Sequence, residues 1–335
     1  MNKQILVTGG CGFIGSHTVV ELMLKGYQVI VIDNLSNSSA SAIDKIEKMT
    51  GKRPAFRQID ICDRKALESV FRDYVIDAVM HFAALKNPQE SYQLTDQYFL
   101  TNVEGTRQLI ALMERFSVTR LVFSSSAVVY GVPSQVPIAE SAAAGEVTNP
   151  YGETKYQSEC DLTEHCQNNS EFSAVSLRYF NPAGAHPSGA IGEQPLKPAA
   201  NLIPAIGKVI MGLAESVPIY GDNYPTCDGT AVRDYIHICD LASGHVAALE
   251  AVLAQSGHQI FNLGTGKGES VLGVVRAFEK ASGMRIPVEF LAPRKGDVGS
   301  CYAEVRKART ELNWQADFDL NTIARDYCHW LSLSN

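Results

Sequence analysis

The chain has no surplus of basic charge, no paired cysteines and no long hydrophobic run, and each absence removes a class of function. With 29 Lys and Arg against 36 Asp and Glu, its 335 residues carry a formal net charge of −7. That leaves no polybasic field for nucleic acid or anionic lipid, so an anionic small molecule would need a locally basic pocket. The eight cysteines (11, 62, 160, 166, 227, 239, 301 and 328) form no CxxC pair and have no histidine partner at zinc-finger spacing. Reduced thiols in a cytoplasmic protein are the expectation. His81, His165, His186 and His237 show no paired ligand spacing, so no metal is expected. No stretch approaches the roughly 18 apolar residues of a membrane span, and the run MNKQILVTGG is too short for a signal-peptide core. Internal repeats, low-complexity tracts and flexible linkers are also missing.

What remains is an ordinary globular composition, 45% hydrophobic and 19% charged, enough for one large α/β domain or two interleaved lobes. Short β-branched runs alternate with amphipathic stretches through the first half. They predict strands at Ile5–Thr8, Gln28–Ile32, Ala55–Gln58, Ala78–Phe82, Arg120–Ser124 and Ala174–Tyr179, with helices that include Gly15–Lys25, Arg64–Tyr74, Val103–Phe116 and Gly152–Asn168. This is a doubly wound, Rossmann-like parallel sheet. Beyond Tyr179, breakers such as Asn181-Pro182, His186-Pro187, Pro195, Pro198 and the polar run 221–229 predict a loop-rich region, the kind that binds ligands. A second strand-helix passage around Asp234–Leu253 and Gln259–Leu263 would return to the sheet before a small final lobe. A Rossmann-like domain is therefore expected at residues 1–180 plus about 234–263, and a second, smaller lobe at about 181–233 plus 264–335.

TGGCGFIGSH sets Gly9, Gly12 and Gly15 directly after the first strand and at the start of the first helix. Gly9 permits the tight turn, Gly12 lets the backbone approach a pyrophosphate, and Gly15 allows close helix–strand packing. The helix N-terminus then faces the phosphates. The second strand leads into Asp33, placed to accept hydrogen bonds from an adenosine ribose and to repel a 2′-phosphate, which favours NAD over NADP. Asp60 and Ile61, beyond the third strand, lie where a side chain reaches the adenine edge. Phe82, Ala83 and Ala84 leave the fourth strand with small residues beside the dinucleotide, although any of these could be plain packing.

Tyr151 and Lys155 are four residues apart in PYGETK, which puts both on one face of a helix that Pro150 opens. A tyrosine acting as base near neutral pH must lose its proton far below its usual pKa of about 10, a change of roughly 4 kcal/mol. A neighbouring ammonium and an oxidised nicotinamide would supply it. Ser126, in FSSSAVVYG at the end of the fifth strand, is placed to meet the same substrate oxygen.

These segments, with DNLSNS, HFAALK, LRYFNPAGAHPSG, DGTAVRDYIH, FNLGTG and APRKGD in order along the chain, resemble the UDP-glucose 4-epimerase family of the extended short-chain dehydrogenases. The resemblance implies catalytic roles for Ser126, Tyr151 and Lys155. It implies NAD contacts from Gly9, Gly12, Phe13, Ile14, Gly15, Asp33, Asn34, Asp60, Ile61, Phe82, Ala83, Ala84, Lys86, Thr101, Tyr151, Lys155 and Phe180. The UDP-sugar would be held by Lys86, Ser126, Tyr151, Asn181, Asn201, Leu202, Tyr220, Arg233, Arg294, Asp297 and Cys301. Arginines suit a diphosphate and asparagines a uracil edge. Interconversion of UDP-glucose and UDP-galactose would run through a 4-keto intermediate with transient NAD reduction.

Three positions depart from the family pattern. Val128 replaces a frequent hydroxyl-bearing Thr, Thr101 a frequent Asn, and Cys301 a bulky Tyr found in some members, so N-acetylated UDP-hexosamines are expected as further substrates. The sugar-nucleotide dehydratases and decarboxylases of the same fold carry acidic residues after the fifth-strand serine, where this chain has Ala127 and Val128. A net dehydrogenase releasing NADH and a non-catalytic NAD sensor are the other readings, and the complete Ser126, Tyr151 and Lys155 set argues against the sensor. A homodimer is implied through helices Val103–Phe116 and Gly152–Asn168, whose apolar positions would equally serve to pack on the sheet.

Overall fold

A computed structural model describes residues 3–193 and 201–333; Pro195 and Pro198 lie outside the described residues. The β-branched runs form β1 (Gln4–Thr8), β2 (Gln28–Asp33), β3 (Ala55–Gln58), β4 (Ala78–His81), β5 (Arg120–Ser124) and β6 (Ser173–Tyr179). A further strand, Gly257–Leu263, lies beside β6, and the sheet order is Gly257–Leu263, β6, β5, β4, β1, β2, β3. All pairings are parallel. The order reverses between β1 and β4, the switch point at which doubly wound sheets bind ligands.

Both faces are covered, as a parallel sheet requires. Along β1, Ile5 and Val7 enter the core beneath the helix Ile238–Ala254, whereas Leu6 enters the opposite core with Leu109, Leu112 and Leu162. This is the two-residue alternation of a strand. Burying one such side chain stabilises the fold by about 1.5–3 kcal/mol relative to exposure.

The expected helix Val103–Phe116 is two elements: a π-helical turn, Leu100–Glu104, and an α-helix, Gly105–Arg115. Widened turns of this kind re-aim side chains and often lie at functional sites. Here the turn carries Asn102. The first helix starts at Phe13, with Gly12 as its N-cap, and the helix bearing Tyr151 starts at Pro150. Asn149 caps the latter, accepting from Gly152 N at 2.9 Å. Replacing Asn149 with Ala should lower stability by about 1 kcal/mol, read as a reduced urea midpoint at unchanged slope; an unmoved midpoint would show that the cap is redundant.

Beyond β6 the described residues build three small sheets and a separate core around Ile206, Val274, Phe278 and Tyr327. One nine-residue helix, Leu202–Ile210, interrupts the loop-rich stretch. Strand Val232–Arg233 lies between Glu269–Ser270 and Ser300–Cys301. Asp234 ties this region together. Its Oδ1 accepts from Thr265 N (2.8 Å) and Thr265 Oγ1 (2.7 Å), and its Oδ2 from Gly266 N (3.0 Å) and Ala303 N (3.2 Å). The motifs DGTAVRDYIH and FNLGTG thus meet at one buried carboxylate.

Candidate active site

The glycine loop runs from the end of β1 into the helix Phe13–Leu24. Gly9 has φ +70°, and a Cβ there would stand 2.6 Å from Ala83 N, so both backbone and space exclude a side chain. At Gly15 a Cβ would overlap the Gly9 carbonyl and stand 2.8 Å from Gly10 Cα. No side chain caps the helix at Gly12, so its first N–H groups suit a diphosphate. Phe13 and Ile14 form the first turn, partly buried against the core.

The ribose and adenine end is equally ordered. Asp33 Oδ2 accepts from Cys11 N at 3.0 Å, joining the carboxylate to the glycine loop, and Oδ1 accepts from Leu35 N (2.9 Å) and Ser38 Oγ (2.8 Å). Burial, then the Asp33 charge, pushes the Cys11 thiol up to about 12. Asn34 Nδ2 donates to Asp60 Oδ2 at 2.9 Å. Ile61 is buried against Gly105, and Thr101 contacts Cys62 just beyond. The loop leaving β4 is pinned by Thr8, whose Oγ1 accepts from Ala83 N at 3.2 Å. A cradle that a Cβ would fill, an uncapped helix start and a fixed carboxylate fit an NAD-type dinucleotide.

At the end of β5, Ser126 Oγ accepts from Val128 N at 3.3 Å and interacts with the Tyr151 phenol. Tyr151 is buried, with its ring edge-on to Tyr98 at 6.4 Å. Burial holds its pKa well above the ordinary phenol value, nearby Tyr179 adds to this, and only the Ser126 bond opposes. Lys155 Nζ donates to Ser124 O at 2.8 Å and lies 4.8 Å over the Phe123 ring. Burial lowers its pKa to about 7, while Glu159 opposes that change. The polypeptide by itself therefore favours a neutral phenol, so the base form depends on positive charge brought close to it.

The residues expected to hold a nucleotide sugar gather in pairs. Arg233 faces Asp297 at 3.8 Å, and the Arg294 guanidinium stacks 3.8 Å over the Tyr220 ring. Cys301 is in register with Arg233, and burial pushes its thiol up to about 11. Asn181 begins a short strand and donates its N–H to Asp234 O at 2.9 Å. Asn201 is the exposed N-cap of helix Leu202–Ile210, and Leu202, its first residue, packs on the third core. Lys86 pairs with Glu193 at 3.3 Å. Phe180 is buried in a cluster with Ala127, Tyr130 and Ala303. Val128 presses on the helix Pro150–Asn168, its Cγ2 standing 3.2 Å from where a Gly152 Cβ would be.

Sequence reasoning missed several residues that shape this site. Asn102 exchanges hydrogen bonds with Leu85 N (2.8 Å) and Leu85 O (2.9 Å) and donates to Thr154 Oγ1 at 3.0 Å, joining the loop after β4 to the helix Pro150–Asn168. Tyr179 Oη meets Ser124 Oγ at 2.7 Å. His81 is locked between Thr8 Oγ1 (2.6 Å) and Thr106 Oγ1 (3.0 Å); burial, then Lys155, lowers its pKa to about 3. Only Glu159 had a legible signal, the four-residue spacing continued from Tyr151 and Lys155.

The fold and site together define a dinucleotide-dependent enzyme of the short-chain dehydrogenase class. The chain belongs to the NAD dependent epimerase/dehydratase family, whose model matches residues 5–264. It is 49% identical to the UDP-glucose 4-epimerase of Bacillus subtilis, over 98% of this chain and 96% of that protein. The crystal structure of UDP-glucose 4-epimerase from Bifidobacterium longum in complex with NAD+ and UDP superposes with a TM-score of 0.96 at 44% identity, covering 99% of this chain and 98% of that one. The UDP-Glc/GlcNAc 4-epimerase of Campylobacter jejuni superposes with a TM-score of 0.85 at 35% identity, covering 99% of this chain and 100% of that one. No helix among the described residues is long and apolar enough to cross a membrane.

Proposed function

We propose that the chain interconverts UDP-glucose and UDP-galactose by inverting C4, with NAD held at the glycine loop. The observation that carries this reading is the meeting of Ser126 and Tyr151 at the carboxyl end of β5, with Lys155 one helical turn on. NAD, when bound, supplies the group that accepts a hydride from C4 and gives it back. Tyr151 Oη takes the proton of the C4 hydroxyl, Ser126 steadies the same oxygen, and the sugar becomes a 4-ketone. Arg233 and Arg294 hold the diphosphate, and Asn181 and Asn201 contribute polar contacts, so the ketone is retained while the hexose turns. Lys86 and Asp297 complete the polar lining. Ala127 and Val128 offer no acid or base for eliminating water, which favours return of the hydride. Incubation with UDP-glucose, followed by proton NMR, should give UDP-galactose without free NADH. Stoichiometric NADH in solution, or no product, would reject the reading.

The substrate range extends to UDP-GlcNAc and UDP-GalNAc. The support is the short Cys301 side chain on the strand paired with Arg233, where a larger residue would occupy the space of an N-acetyl group. Cys301→Tyr is expected to abolish turnover of the N-acetyl pair while retaining most activity on the unsubstituted pair. Equal loss on both pairs would contradict this.

The same reading divides the chain into an NAD-binding domain, residues 1–180 with about 234–263, and a UDP-sugar lobe, and places the enzyme in the cytosol as a homodimer. The free state of all eight cysteines supports the cytosolic assignment. Helices Gly105–Arg115 and Pro150–Asn168 lie side by side, joined by Arg107 and Asp161 at 2.7 Å. Their apolar residues Leu109, Leu112, Met113 and Leu162 are already buried against the sheet, so the dimer contact falls on the polar outer face. Sedimentation equilibrium should give twice the chain mass.

A further inference from the structure

Three consecutive serines at the end of β5 meet three residues spaced one turn apart on the helix Pro150–Asn168. Ser126 meets Tyr151, and the Ser124 carbonyl accepts from Lys155. The third contact is Ser125 Oγ donating to Glu159 Oε1 at 2.5 Å. Glu159 is 2% exposed, too deep to touch a substrate, and is held by Arg178 of β6, whose Nε lies 3.0 Å from Oε1 and whose Nη2 lies 2.5 Å from Oε2. Arg178 is 4% exposed and stacks 4.7 Å over the Tyr130 ring. A buried ion pair is weak evidence for stability, because desolvation offsets most of its attraction, so its place against the serines that receive Tyr151 and Lys155 invites another explanation.

We propose that Glu159 is a positioning residue of this site: through Ser125 it fixes the strand end that receives Lys155 and Tyr151, and it supplies the buried negative charge that accompanies the Lys155 ammonium. The other groups around Lys155 cannot replace that charge. His81 on β4 is locked neutral between two hydroxyls. Tyr98, from the helix preceding the π turn, and Tyr179, on β6, are buried phenols whose proton affinity is raised by burial. Tyr151, on the same helix, must itself become the anion in the reaction, and Arg178 is positive. Among the groups acting on Lys155, Glu159 alone raises its proton affinity.

The inference rests on Lys155 belonging to the catalytic set, but its test does not require the proposed epimerase activity. Full-length protein is labelled with [ε-13C]lysine, and the Lys155 signal is identified by its loss in Lys155→Met. In Glu159→Gln, the Lys155 titration midpoint is expected to fall by about one pH unit or more, and the alkaline limb of kcat to move with it at nearly unchanged KM. Glu159→Asp should restore most of both. If Glu159→Gln does not fold, the double variant Glu159→Gln, Arg178→Met leaves no unpaired buried charge and should show the same direction. A midpoint and alkaline limb that superimpose on the parent, with only thermal stability reduced, would overturn the proposal. Absence of epimerase activity in the parent chain would bear on the proposed function alone, since the lysine titration is read separately.

Discussion

Tyr151→Phe is expected to reduce epimerase turnover by about 10³-fold or more while leaving NAD binding close to the parent value. The substitution removes one oxygen from a buried ring and keeps its edge-on contact with Tyr98, so packing around the dinucleotide site should survive. What is lost is the phenol placed to take the C4 proton, and a positioned acid–base residue contributes typically 10²–10⁴-fold. The expected loss lies at the upper end because no neighbouring side chain can take over: Ser126 is a far weaker acid, and Lys155 is engaged by the Ser124 carbonyl. Turnover from NMR product ratios, alongside NAD content measured after denaturation, checks both halves. Turnover within tenfold of the parent would remove Tyr151 as the base.

The second large effect concerns the glycine loop. Gly15→Ala should weaken NAD binding by about 100-fold, equivalent to about 2.7 kcal/mol, and lower stability by about 1–3 kcal/mol through overpacking. The added methyl would fall on the Gly9 carbonyl and the Gly10 Cα, both backbone atoms of the phosphate turn. A flexible side chain could move aside, but this turn cannot do so without displacing Gly9, whose N–H is bonded to Ile32 O at 2.8 Å. The first helix would tilt away from the sheet, and its N-terminal N–H groups would no longer converge on the pyrophosphate. NAD titration by calorimetry and urea unfolding separate the two consequences. Unchanged affinity with an intact fold would show that the close approach of helix and strand is not what forms the phosphate site.

Much of this site was legible because its signals are local. The glycine spacing after β1, the carboxylate ending β2 and the Tyr–Lys spacing behind Pro150 each span a few residues, and each follows from backbone geometry or helix period. The limits of the six strands expected up to Tyr179 differ from the structure by one residue at most, because β-branched runs bounded by glycine and polar residues leave little choice. The expected helix Val103–Phe116 leaves out Asn102, because the π turn Leu100–Glu104 answers the tertiary demand that Asn102 bridge Leu85 and Thr154, which no local period records. The apolar positions of the two helices assigned to a dimer contact likewise fit two destinations in one dimension, and the sheet claimed them.

The order of residues alone thus determined a parallel sheet with a dinucleotide loop at its start and a tyrosine and lysine on one helical face. Folding decided which distant groups would meet: Arg233 with Asp297, Arg294 with Tyr220, Asp234 with the loop at Thr265, and Glu159 with Arg178 and Ser125. Periodicity carries information over a turn or two of helix, whereas these contacts join segments brought together by sheet order and by crossovers between lobes. Whether a charged side chain becomes a solvated surface group or a buried partner therefore depends on what the sheet sets opposite it.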